Sequence, residues 1–172
     1  MSRDKLVLFG KRGVLSQITI PYELMRNLEI IDKPHFANQI REFIENNRIR
    51  KRRTVIVLDQ SMVFHASEPL ASSSDTEQLE QKFAQQLPFP EDRRLVLTIP
   101  RTQKLFMFGI NNEVLETLTS TLESRNNKLL AAVPAAAYGL KLNSKTDATK
   151  LRKLFSHKKW VEAANFLHIH KD

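Results

Sequence analysis

Residues 54–58 read Thr-Val-Ile-Val-Leu, and after the threonine no polar side chain is available to face water. A strand with one wet face alternates. A strand without alternation needs cover on both faces, as central strands of an α/β sheet have. A chain containing this run must therefore supply a layer on each side of it. One layer directly precedes it. Pro34 sits where a first helical turn tolerates proline, and Phe36, Ala37, Ile40, Phe43 and Ile44 follow at three- and four-residue spacing. That spacing predicts a helix with one apolar face, ending near Asn47.

Before this helix, 5–9 and 14–20 are apolar, β-prone runs divided by Gly10-Lys-Arg-Gly13, a hairpin signal, and Pro21 ends the second. A short third strand is expected at 28–31. After the central run, 62–66 reads as a strand, and 68–74, rich in serine and containing Pro69, reads as a loop. Ser74 or Asp75 caps a helix with early acids (Asp75, Glu77, Glu80) and apolar Leu79, Phe83, Ala84 and Leu87. Pro88 and Pro90 stop it. Strands follow at 95–99 and 104–110. Asn111 or Asn112 then caps a helix carrying Val114, Leu115, Leu118 and Leu122. Asn126 and Asn127 break it, and 129–133 is a final buried strand. Pro134 opens a short helix of small residues over 135–140. Beyond Asn143 the sequence turns basic, with Leu151, Leu154, Phe155, Trp160, Ala163, Ala164 and Leu167 at helical spacing. The loops before 140 are short, so these elements should pack as one body.

The chain has no cysteine, which excludes disulfides, thiolate metal sites and cysteine nucleophiles. No apolar run reaches the length of a membrane span, and residues 1–5 lack the progression of a signal peptide. A cytoplasmic protein is the expectation. The net charge is +8, and residues 141–172 supply +5 of it. Arg48, Arg50, Lys51, Arg52 and Arg53 form one compact basic cluster; Lys150, Arg152, Lys153, Lys158 and Lys159 form another along the tail. Such clusters meet phosphates of lipid headgroups or nucleic acid. The plainer account of the first is a solvated helix end favouring cations near its dipole. For the second it is a terminal helix packed on the body or against a partner.

Three strands, a helix and a strand, then a helix, a strand and a helix, is the order of one RNase H-like half of an actin-type fold. The strand–helix–strand–strand unit after the fourth strand resembles the insertion of the FtsA and PilM family. Local sequence is similar to PilM, the cytoplasmic type IV pilus assembly protein. The stretches are Phe83-Ala-Gln-Gln-Leu-Pro-Phe89, Thr54-Val-Ile-Val-Leu-Asp-Gln-Ser-Met-Val-Phe64 and Ala132-Val-Pro-Ala-Ala-Ala-Tyr-Gly-Leu140. The resemblance implies an α/β fold: half of an actin-like (RNase H-type) domain, with an inserted strand–helix–strand–strand subdomain and a helical C-terminal tail. It divides the chain into 1–60 with 111–142 as the half-domain, 61–110 as the insertion and 143–172 as the basic tail.

The departures from that family bear on chemistry. Its nucleotide-hydrolysing members open with an Asp-x-Gly phosphate hairpin. Here the hairpin is Leu6-Val-Leu-Phe-Gly10-Lys-Arg-Gly13, with no acid between its strands. Only four glycines are available for phosphate-cradling loops, and the second half-domain of such an ATPase has no counterpart in this length. The expectation is a reduced or truncated relative without enzymatic activity and with no cofactor or metal. The end at Asp172, soon after a basic aromatic segment, leads to the further expectation that a transmembrane segment follows in a longer chain.

An RNase H-type nuclease is the alternative that the same element order invites. It needs acids on the first and fourth strands to hold two Mg²⁺ about 4 Å apart. Asp59 ends the fourth strand and Glu42 and Glu45 lie on the preceding helix, but the first strand offers only Asp4, expected at the wrong end. A single such Asp is commonly a turn or cap residue. The histidines do not pair into a metal site: His168 and His170 are two apart and face different ways on a helix, while His35, His65 and His157 are isolated. Phe106 and Phe108 alternate with Leu105 and Met107 on a strand preceded by Arg101 and Lys104. That pattern fits an RNA-stacking sheet, and fits better a strand covered on one face.

In the PilM family the actin-like body lies at the inner face of the membrane and grips the cytoplasmic tail of a bitopic partner of the PilN type. The function expected by resemblance is thus a cytoplasmic docking and assembly subunit of a type IV pilus or type II secretion-like apparatus. Its expected partners are that tail and an anionic lipid surface, with homo-oligomerisation left open and nucleic acid ranked behind.

Overall fold

A computed structural model describes residues 4–10, 13–21, 23–49, 53–70, 75–140 and 164–169. The central run is strand β5 (Arg53–Leu58), and it is covered on both sides as its composition demands. It lies in a four-stranded sheet of order β2-β1-β5-β9, with β1 (Asp4–Gly10), β2 (Gly13–Ile20) and β9 (Lys128–Pro134). β1 runs antiparallel to both β2 and β5, while β5 and β9 are parallel. Ile56 and Leu58 face the larger core. Val55 and Val57 face a smaller cluster with Ala131, Val133, Ala135 and Leu140, built by the chain folding back after β9.

Helix α1 (Lys33–Asn46) begins where Asp32 accepts the His35 N–H at 3.0 Å and buries Phe36, Ile40, Phe43 and Ile44. Each of these side chains contributes about 1.5–3 kcal/mol by leaving water. Arg48 closes the helix in the left-handed region (φ 53°), and Ile49 N–H returns to the Ile44 carbonyl at 2.9 Å. Helix α3 (Asn112–Glu123) packs against α1 and β9 and is capped by Asn111. It buries two threonines, which the helix tolerates because Thr117 and Thr121 each donate to the carbonyl four residues back at 2.7 Å. Asn126 ends it with φ 58°.

Between β5 and α3 lie β6 (Phe64–Pro69), α2 (Thr76–Gln86), β7 (Arg94–Arg101) and β8 (Lys104–Asn111). The three strands form their own antiparallel sheet, ordered β6-β8-β7. Asp75 is the cap of α2, accepting N–H groups of Glu77 and Gln78. β6 starts and ends later than the sequence suggests. Met62 is buried in a 3₁₀ turn (Gln60–Met62), and pairing to β8 carries the strand to Pro69. Proline is tolerated there because β6 is an edge strand. Phe83, Leu87, Phe89, Leu95 and Leu105 belong to the same core cluster as α1 and α3.

The expected third strand does not join the main sheet. Residues 25–30 make a separate two-stranded ribbon, β3 (Met25–Arg26) against β4 (Glu29–Ile30). Asn27 (φ 51°) and Leu28 (φ 63°) form its turn, the geometry that tight hairpins require. Leucine is costly in that conformation, and Leu28 is held there by burial at 7% exposure.

The chain after Pro134 forms a 3₁₀ turn, Ala135–Tyr138, ended by Gly139 at φ 62°, where the sequence suggests a longer helix. Residues 141–163 and 170–172 lie outside the described residues, and with them nearly all of the expected helical tail. What is described, 164–169, is not helix-packed as its spacing implies. It carries a single 3₁₀ turn (Phe166–His168), with Ala164, Asn165 and Phe166 all buried against β9 and β7. The Asn165 Oδ1 accepts the Ala132 N–H at 2.9 Å, and Nδ2 donates to the Leu130 carbonyl at 3.4 Å. Leu130 is the residue skipped where the β5–β9 register shifts, between Thr54↔Leu129 and Val55↔Ala131.

Candidate functional site

Parallel strands start on one edge, so β5 and β9 begin together, and the antiparallel β1 ends there with Gly10 opposite Thr54. The C-termini of α1 and α3 reach the same edge. Asn127 Nδ2 donates to the Ile49 carbonyl at 3.2 Å and to the Leu122 carbonyl at 3.1 Å, and Arg125 pairs with Glu45 across the two helices. The edge is basic. Arg48 is exposed at the end of α1, Arg53 is exposed at the first position of β5, and Lys128 is its exposed register partner at the first position of β9. Two helix C-termini add negative potential that favours cations here.

Of the basic residues singled out in sequence, Arg48 and Arg53 stand on this edge. Arg50, Lys51, Arg52, Lys150, Arg152, Lys153, Lys158 and Lys159 lie outside the described residues. Arg125 and Lys128 were not legible as members of the cluster from proximity in sequence. The signal that finds them is the pair of buried runs, 54–58 and 129–133, each entered from a helix: parallel neighbours share a starting edge.

At the opposite end of the sheet, Asp59 leads into the 3₁₀ turn, its carbonyl accepting the Met62 N–H at 2.9 Å. The expectation that Asp4 stands at the wrong end is corrected. Leu6 faces Leu58 in an antiparallel pair, so Asp4 starts β1 at the Asp59 end. Glu42 is exposed on α1, and Glu45 is engaged by Arg125 on the other edge. Among the described residues no three His, Asp or Glu side chains converge as a metal site. His65 is exposed on β6. His35 Nδ1 lies 2.7 Å from Asp32 Oδ2, which raises the histidine above its ordinary value and lowers the aspartate.

The aromatic strand β8 is closed. Leu105, Met107 and Phe108 are buried, and the Arg101 guanidinium sits 5.5 Å over the half-buried Phe106 ring. Arg101 Nη2 also donates to the Ala137 carbonyl at 2.6 Å, tying β7 to the turn after β9. Beside it, burial pushes Tyr138 up to about 12, with Arg101 opposing the shift. On the inserted sheet α2 covers β7 and β8, and beside it β6 borders a shallow hollow of about 60 Å³. Ala66, Glu68, Leu79, Lys82, Phe83, Gln86 and Met107 line it.

No family model matches this sequence, and no curated protein matches it. Among solved structures the chain is similar to the cytoplasmic domain of EpsL, an inner membrane component of the type II secretion system of Vibrio cholerae. The TM-score is 0.46 at 10% identity, over 81% of this chain and 55% of that one. It is also similar to a chain of the PilM-PilN type IV pilus biogenesis complex, with a TM-score of 0.50 at 15% identity, over 79% of this chain and 45% of that one. This chain thus spans about half the length of the solved chains it matches. At such identity the likeness speaks for the fold: the α/β architecture is half of an actin-like fold. No helix among the described residues is long and apolar enough to cross a membrane.

Proposed function

We propose that this chain is a non-catalytic cytoplasmic docking subunit of a type IV pilus or type II secretion-like apparatus, binding the cytoplasmic tail of a bitopic inner-membrane protein of the PilN type. The observation that carries the reading is the fold shared with a chain of the PilM-PilN complex over 79% of this sequence. The first hairpin, whose glycines Gly10 and Gly13 have no acid between the strands, supports a role without nucleotide hydrolysis. The basic edge of Arg48, Arg53 and Lys128 fits an anionic membrane surface, where each Lys or Arg near the headgroups adds about 1 kcal/mol.

A pull-down from native membrane extract, at low salt and at roughly 0.5 M salt where charge contacts are screened, tests this. Retention of a bitopic pilus or secretion protein in high salt is the expected result. The same basic edge favours a second reading, a nucleic-acid-binding protein. Nucleic acid bound at low salt, with nothing retained at high salt, would replace the docking role with that one.

A further inference from the structure

The outer edge of β6 presents backbone groups that fit a second copy of the same edge. No strand lies beside it among the described residues, and five of its six residues are exposed. The Leu70 N–H donates to the Gln103 carbonyl at 3.0 Å, which extends the β6–β8 ladder by one pair and fixes its phase. Hydrogen-bonded and non-hydrogen-bonded pairs alternate along an antiparallel ladder. Phe64, Ala66 and Glu68 therefore turn their backbone groups to β8, while His65, Ser67 and Pro69 turn theirs outward. The proline falls where no N–H is owed to β8. Edges that stay single are commonly blunted by lysine, a bulge or shortness. β6 pairs with β8 in unbroken register over six residues and contains no lysine.

We propose that β6 is a homodimer interface: two copies pair antiparallel about a two-fold axis at Ala66, joining the inserted sheets into one sheet of six strands. That register sets His65 of each copy against Ser67 of the other, and the outward N–H and carbonyl groups of all four residues are met. An axis at Ser67 would instead set His65 against Pro69, which has no N–H to return. At the axis each copy meets its own residue, and alanine there brings neither bulk nor charge. Charge also favours a like partner on this module. Residues 61–110 hold six acids and five Lys/Arg, a net of −1 on a chain of +8, so two copies meet here without the repulsion their basic edges would bring. On the face that α2 covers, Phe64 (37% exposed) falls opposite Glu68 of the second copy. Glu68 lines the hollow beside β6 together with Lys82, Leu79 and Phe83. The exposed ring of each copy thus borders the hollow of the other, and Lys82 of one copy shares a face with Glu68 of the other, opposite charges on either side of the seam. This inference is independent of the docking role, since it concerns only the free edge of the inserted sheet.

The test uses the full chain, which has no cysteine. Sedimentation velocity over about a hundredfold range of concentration should show a reversible monomer–dimer equilibrium. Ser67→Pro removes an outward N–H and no bond to β8, so the fold survives, and the dimer dissociation constant should rise at least about tenfold. Ala66→Cys supplies a second, independent readout. It places two thiols in a non-hydrogen-bonded pair, about 4.5 Å apart at Cα, within disulfide reach, and should cross-link under mild oxidation. Ser67→Cys lies two residues out of register with its own copy and should stay uncross-linked. A chain that is monomeric at every concentration, or a dimer indifferent to Ser67→Pro, overturns the proposal. So does failure of Ala66→Cys to cross-link, or preferential cross-linking through Ser67→Cys.

Discussion

Asn165 gives Ala132 the hydrogen-bond partner that a fifth strand would give it. Its Oδ1 accepts the Ala132 N–H at 2.9 Å, on the side of β9 away from β5, where among the described residues no further strand pairs. Both residues are buried, so water cannot replace the bond once it is lost. Asn165→Ala should lower unfolding free energy by about 1–3 kcal/mol, the cost of an unmet buried donor. Asn165→Asp should cost at least as much, because it buries a carboxylate and turns an acceptor toward the Leu130 carbonyl. Urea melts of the three proteins at neutral pH check the order, and an alanine variant as stable as the parent would refute the assignment.

Gly109 lies on β8, in the middle of the inserted sheet, where a Cβ would stand 2.6 and 2.7 Å from the two methyl carbons of Leu87. Leu87 is 4% exposed, so it has little room to swing aside. Gly109→Ala should destabilise by about 1–3 kcal/mol through overpacking. Adding Leu87→Ala should then cost less than it does alone, giving a favourable coupling in a double-mutant cycle. Additive costs would mean that the glycine is there for another reason.

The two-stranded ribbon and the C-terminal segment mark where the sequence was opaque. The order of strands and helices was legible because the apolar periods of α1, α3 and β5 are unambiguous, and α3 is bounded by Asn111 and Asn126 as the residue types suggest, whereas the Asp32 cap of α1 emerges only from the structure. Residues 28–31 misled because Leu28 is apolar for a different reason: it anchors a left-handed turn in the core. Ala164 and Leu167 fit a helical period by chance, since two positions cannot separate a helix from an extended segment with one turn. The basic edge was half legible. Arg48 and Arg53 flank one short connection, whereas Lys128 joins them only through the parallel pairing of β5 and β9.

The pair at the start of α1 sets a pH window. His35 is raised above 6.5, chiefly by its hydrogen bond to Asp32, so its contribution is fully present below 6.5 and is lost as pH rises through the higher folded value. Asp32 is lowered below 3.8, chiefly by the same bond, so its contribution is present above 3.8 and is lost as pH falls through the lower folded value. A histidine NMR titration should place His35 above 6.5. His35→Gln should remove that histidine's share of the fall in melting temperature as pH rises from 6.5. A titration at or below 6.5 would show the pair unformed in solution.

Tyr138 gives a test at the alkaline end. The chain has two tyrosines, so Tyr22→Phe leaves one to follow by ultraviolet absorbance. It should ionise near 12, where burial places it, rather than near 10. The sign is that of a raised acid: stability is intact below 10 and falls as pH climbs toward 12. Arg101→Gln should raise the value further, because the cation opposing the shift is gone, and should also release the bond to Ala137. An unshifted tyrosine would mean that the turn after β9 opens to solvent.

Arg53 and Lys128 stand side by side as register partners on neighbouring strands, both exposed and both positive. Like charges so placed cost stability by a few tenths of a kcal/mol up to about 1 kcal/mol. Lys128→Glu replaces that repulsion with attraction and should raise stability by a similar amount in urea melts. On the proposed anionic-surface role the same change should weaken sedimentation with vesicles of mixed neutral and acidic phospholipid at low salt. Reversal of a single charge there should cost about tenfold in partitioning, and added salt should shrink the difference. A chain that becomes more stable while losing the surface would identify the basic edge as kept for contact rather than for folding. Unchanged sedimentation would detach this edge from the membrane and leave the helix dipoles of α1 and α3 as its sole account.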